Sequence, residues 1–171
     1  MQLAFVDEMG DAKLQAYLGI CVAMMNARFY PSLKRKTQEI LTDVGWSPQV
    51  EFKGSHLFSA STGCTDVEIQ KRIDAARQLL DLNVAGANSR MQFHYGRMQS
   101  ENHGQSYLDH LPTLLDKCLP KAPSGAGKNL LVVVCDERSD VAATKLHAAL
   151  EPVTRGKKWV LLEHVIKAKS G

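Results

Sequence analysis

The run Leu130-Leu131-Val132-Val133-Val134-Cys135 constrains the fold more than any other stretch of this chain. This unbroken apolar run, with three β-branched valines, favours a strand over a helix and predicts one over residues 129–135. The absence of polar alternation fits a central strand covered on both faces. Strands of that kind belong to architectures in which helices pack on a sheet. The run stops at Asp136 and Glu137, so it delivers acid at a strand end, where the sites of open α/β sheets tend to gather.

A second apolar strand meets acid near the N-terminus. Residues 2–7 read as a strand, and Asp7, Glu8 and Asp11 cluster around Gly10. Carboxylates held at a sheet edge suit hard divalent cations, which prefer oxygen donors. An ordinary polar hairpin turn explains the same residues, because Asp and Gly are common turn formers. Glu51 supplies a third acid in the glycine-punctuated segment Glu51-Phe52-Lys53-Gly54-Ser55. Adjacent strands lie about 5 Å apart, so acids from neighbouring strand ends can share ions if the fold brings them together. Close carboxylates repel one another, and a cation relieves that repulsion.

Between these points the pattern predicts strands over 17–25, 91–95 and 159–166. It predicts helices over 32–44, 66–84, 106–119 and 140–150. Gly45 is placed to stop the first helix, and Thr65 or Asp66 to cap the second. Lys34, Arg35 and Lys36 form a basic cluster early in the first helix, read as a solvated face. Hairpin first and strand–helix alternation later predict a mixed α/β sheet in one domain spanning 1–171. The loop Lys121–Lys128, KAPSGAGK, lacks the glycine spacing of a phosphate loop and precedes a strand instead of following one.

With 171 residues, 44% of them apolar and 23% charged, the chain has the composition of a soluble globular domain. Its formal charge of +3 permits a nucleic-acid partner without arguing for one. Cys21, Cys64, Cys118 and Cys135 are too scattered for a structural zinc site or a disulfide framework, and Cys21 and Cys135 read as small core residues. No signal peptide and no membrane-length apolar stretch is visible, so the expectation is a cytoplasmic protein without a membrane partner. His103 and His110 read as solvent-facing, and His56 is the histidine placed for acid–base work beside Glu51. Ser55, Ser59 and Ser61 sit in no nucleophile elbow. Arg90, Tyr95 and Arg97 interleave basic and aromatic groups, which fits nucleic-acid contact and a half-buried strand equally.

Taken in order, FVDEMGD with its following strand YLGICVAM, then EFKGS, then VVVCDER, resemble an uncharacterised ribonuclease H-like family, domain of unknown function 3800. The resemblance covers most of the chain. It implies a ribonuclease H-like mixed sheet flanked by helices, and a magnesium- or manganese-dependent nuclease. On that pattern Asp7, Glu51 and Asp136 are the metal ligands, with Glu8 and Asp11 as accessory catalytic acids. Lys53 would contact a phosphate, and Arg90, from the basic and aromatic stretch above, is a second expected backbone contact. Met9 stands where the family usually has Ser. The family also continues into a Q-L-A-D-x-x-A segment about where this chain reaches Gly171, so the resemblance implies a C-terminally incomplete domain and an acidic site short of one Asp. Uncovered sheet surface there would favour self-association or a protein partner.

The functional expectation is hydrolysis of nucleic-acid phosphodiester bonds at a carboxylate-held Mg2+ or Mn2+ site, with DNA and RNA both open. Two rivals stand beside it. One is a non-catalytic ribonuclease H-like module that binds nucleic acid or a protein. The other is a metal-dependent phosphatase or nucleotide hydrolase.

Overall fold

The computed structural model describes residues 1–10, 17–46, 66–84, 91–119, 129–136, 138–155, 157 and 160–168. In chain order the elements are β1 (Gln2–Gly10), β2 (Tyr17–Asn26), α1 (Tyr30–Asp43), α2 (Asp66–Leu80), β3 (Gln92–Gln99), α3 (His103–Cys118), β4 (Asn129–Asp136), α4 (Ala143–Arg155) and β5 (Val160–Ala168). They fall into two compact units, one formed by Met1–Ala27 with Gln92–Ser170, the other by Arg28–Met91.

The first unit carries a five-stranded sheet in the order β3-β2-β1-β4-β5. β2 runs antiparallel to both β1 and β3. β4 runs parallel to β1, and β5 parallel to β4. This is the ribonuclease H-like mixed sheet flanked by helices that the resemblance implies. Strand alternation sends Ala4 and Val6 of β1, Leu18, Ile20 and Val22 of β2, and Leu131, Val133 and Cys135 of β4 into one core. Helix α3 meets them with Tyr107, Leu111, Leu115 and Cys118, residues that recur on one helical face. Leu146 and Leu150 of α4 complete the same cluster. Asn102 starts α3 by accepting the Gln105 amide at 3.0 Å.

The expected covering of β4 on both faces is met on one side only. Leu131, Val133 and Cys135 are buried, whereas Val132 and Val134 are half-buried. The reason is that α3 and α4 both pack on the side of the sheet that carries the core. Among the described residues no helix is long and apolar enough to cross a membrane.

The second unit pairs α1 with α2. Pro31 opens α1, where its missing N–H costs nothing. The helix ends in a Schellman arrangement. Gly45 takes φ of 75°, its amide donates to Thr42 O at 2.8 Å, and the Trp46 amide donates to Leu41 O at 2.9 Å. On α2, Asp74 accepts from Gln70 at 3.0 Å and from Arg77 at 3.2 Å. Lys36 Nζ donates to the Asn83 carbonyl at 3.2 Å, linking α1 to the residues after α2. The link shows one member of the Lys34–Lys36 basic cluster engaged within this unit.

Candidate active site

β1 and β4 are parallel neighbours, and their register pairs Val6 with Cys135. Both of those residues are buried in the core. The next residue on each strand is therefore turned to the opposite face of the sheet. Those residues are Asp7 and Asp136, both exposed, at adjacent strand positions about 5 Å apart in the backbone. Asp7 Oδ1 accepts the backbone amide of Glu8 at 2.8 Å, which holds the carboxylate close to its own strand.

On the other side of Asp7 the register reaches Cys21 of β2. Burial, and then the negative charge of Asp7, push the Cys21 thiol up. The other two residues of the row, Asp7 and Asp136, offer carboxylate oxygens. That donor set is the one hard cations prefer. Among the described residues no group of three or more His, Cys, Asp and Glu is gathered closely enough to hold a metal ion. The pair Asp7 and Asp136 nonetheless fits magnesium, which keeps several waters and commonly takes one or two protein carboxylates together with substrate phosphate.

Glu8 goes elsewhere. It follows Val6 by two residues and shares the core-side face, away from Asp7. Its carboxylate is ion-paired with Arg138. The same guanidinium makes a forked contact with Asp140, 2.9 Å from Nε to Oδ1 and 2.6 Å from Nη2 to Oδ2. It also lies over the Tyr107 ring, 4.9 Å from the ring centre. Burial disfavours the charged form of Arg138, but its hydrogen bonds to Asp140 and Glu8 outweigh that and keep it protonated. The Arg138 hydrogen bond in turn holds the Asp140 carboxyl below its ordinary range. Burial, and then its hydrogen-bonded neighbour Cys135, raise the Tyr107 hydroxyl well above the usual phenol range. Arg138 thus ties the residues following β4 to β1 and α3, immediately beyond Asp136.

Asp11, Glu51, Lys53, His56, Arg90, Glu137 and the KAPSGAGK loop lie outside the described residues. The histidine expectation needs correction at one position. His110 is exposed, but His103 is half-buried with its Nε2 shielded from water and, among the described residues, without a hydrogen-bond partner. The helix begins at His103, earlier than the expected 106, and so draws that ring against the protein. His94 on β3 likewise has a buried Nε2 with no partner among the described residues. Cys135 and Cys118 are core residues, and burial pushes the Cys118 thiol up to about 12. Cys21, expected in the core, is half-buried on the opposite face instead.

Sequence reasoning passed over Arg138. The available signal was its place two residues past the acid that ends a buried strand.

No family model and no curated protein matches this chain. Among solved structures it is similar to the ribonuclease H2 of Pyrococcus horikoshii OT3, at 17% identity and a TM-score of 0.41. The match covers 96% of this chain and 63% of that one, so the chain spans less than two thirds of that protein's length. No family match supports the resemblance to domain of unknown function 3800 or the C-terminal incompleteness that it implies.

Proposed function

We propose that this protein is a divalent-cation-dependent nuclease whose reaction is hydrolysis of a nucleic-acid phosphodiester bond. One observation carries the reading: the parallel register of β1 and β4, which puts Asp7, inside β1, and Asp136, at the end of β4, one residue beyond the pair Val6 and Cys135 and on the same sheet face. Asp7 and Asp136 would hold Mg2+ or Mn2+, with Glu51 as the further ligand that the resemblance implies. A cation bound there would supply activation of water and neutralisation of charge building up on the phosphate. Water adds to phosphorus as the P–O ester bond breaks, and the departing oxygen takes up a proton. The protein's own contribution is positioning. Strand pairing fixes both carboxylates, and the Arg138 contacts to Glu8, Asp140 and Tyr107 brace the chain next to Asp136.

The test is Mn2+-dependent cleavage of labelled single- and double-stranded DNA and RNA. Wild type is compared with Asp7→Asn, Asp136→Asn and Glu51→Gln. Loss of cleavage in Asp7→Asn and in Asp136→Asn, with melting unchanged, is the expected result. Cleavage that survives either of those two substitutions would sink the reading. A wild type that binds nucleic acid without cutting it would return the protein to the class of binding modules.

A further inference from the structure

The sheet face that carries Asp7 also carries an exposed aromatic row on the edge strand. Register pairs Asp7 with Cys21 and Cys21 with Tyr95, so all three lie in one line across β1, β2 and β3. Tyr95 is 56% exposed, and Phe93, two residues away on the same face, is 40% exposed. Arg97, next on that face, places its guanidinium 4.2 Å from the centre of the Tyr17 ring. The Tyr95 ring leans diagonally over Gly19. A Cβ built on that glycine would fall 2.8 Å from Tyr95 Oη and 3.1 Å from Cε2. Glycine at this position is what lets the ring lie against the sheet, with its outer face to solvent.

Flat aromatic rings beside an arginine are the surface on which unpaired bases stack. In a duplex the base faces are already stacked on their neighbours and closed to such rings. The chain's formal charge of only +3 is small for a surface that binds through phosphate neutralisation. Stacking must then carry more of the affinity.

From this juxtaposition we infer that Tyr95, Phe93 and the Arg97–Tyr17 stack form a platform for an unpaired nucleic-acid strand. It presents the backbone to Asp7 and Asp136 two to three strand spacings away, about 10–15 Å. The inference rests on the nuclease reading above and narrows its substrate to single-stranded DNA or RNA.

The experiment is fluorescence anisotropy of the full chain in EDTA, which prevents cleavage. The probes are labelled oligo-dT, oligo-rU and a duplex of equal length. Expected results are binding of one or both unpaired strands, at least about tenfold weaker binding of the duplex, and weak dependence on salt. Tyr95→Ala should weaken the unpaired strand by about tenfold or more, whereas Tyr95→Trp, which keeps a ring face, should not. Gly19→Ala should weaken it too, by displacing the ring without removing it. Equal binding by Tyr95→Ala and wild type, or duplex bound as tightly as single strand, would overturn the platform. So would a wild-type dimer by sedimentation that Tyr95→Ala turns into monomer with oligonucleotide binding intact, since the face would then belong to a second copy. Binding is read in EDTA and cleavage in Mn2+, which separates the two readings. Cleavage surviving in Asp7→Asn refutes the acidic site and leaves the binding result to stand or fall alone.

Discussion

Replacing Arg138 with Met tests whether one guanidinium holds the carboxyl-end corner of the sheet. The Arg138 side chain is 10% exposed, that of Glu8 30% and that of Asp140 47%. The Asp140 fork, with its carboxylate half in water, is worth about 1 kcal/mol. The Glu8 pair, less hydrated, adds about 1–2 kcal/mol, and the stack on Tyr107 about 0.5–1 kcal/mol. Against these stands the cost of desolvating Arg138, which Met does not incur. The net expectation is a loss of about 2 kcal/mol for Arg138→Met, read by urea denaturation with circular dichroism at neutral pH. In a Glu8→Gln background the same substitution should cost only about 1 kcal/mol, because the charge it would strand is gone. A loss under about 0.5 kcal/mol, or an identical loss in both backgrounds, would refute the argument that Arg138 works through Glu8.

Three further outcomes are expected. Gly45→Ala should cost about 1 kcal/mol by denaturation, purely from backbone strain at φ of 75°, since nothing lies within 4 Å of the added methyl; an unchanged midpoint would contradict the Schellman assignment. Gly104→Ala should cost about 1–2 kcal/mol, because its methyl would fall 2.9 Å from Asp140 Oδ2 and 3.4 Å from the Asp140 carbonyl, and the loss should shrink in an Arg138→Met background. Asp140 titrates lower in the folded protein than unfolded, so its contribution is complete above the unfolded value of about 4 and fades as pH falls through the lowered folded value. The stability gap between wild type and Asp140→Asn should therefore be flat from neutral pH down to about pH 5 and narrow only in stronger acid; a gap that narrows near neutrality would refute this.

The acids at strand ends were legible because an apolar run that stops at a carboxylate is a local signal, and β1 and β4 both carry it. That they are neighbours was not legible, since strand order depends on contacts spanning the chain. Asp7 and Glu8 were grouped as one cluster although period-2 alternation already separates them onto opposite faces. β1 was expected to end at residue 7 but continues to Gly10, because pairing of Gly10 with Leu18 overrides the poor strand preference of Asp, Glu and Gly. β3 was expected to end at residue 95 and runs on to Gln99 for the same reason, through its pairing with Tyr17. The last helix was expected over 140–150. It spans Ala143–Arg155 instead, with Asp140 left in the turn where it meets Arg138. It also carries Pro152, which a local reading would treat as a stop. Glu51, Lys53 and Arg90, on which the expected site also relied, lie outside the described residues.

The pairing of β1 with β4 also bears on when the acidic pair comes into being. β1 and β2 are close in sequence and join as a local hairpin, whereas the partner of Val6 on β4 is Cys135, most of the chain away. Closing so long a loop costs entropy before any contact repays it, so such parallel pairing forms slowly. During synthesis the N-terminal hairpin emerges long before β4 does. Asp7 therefore leaves the ribosome with no Asp136 beside it, and the two residues become neighbours only after β4 has been made. The proposed acidic pair is thus one of the last features of the sheet to be assembled.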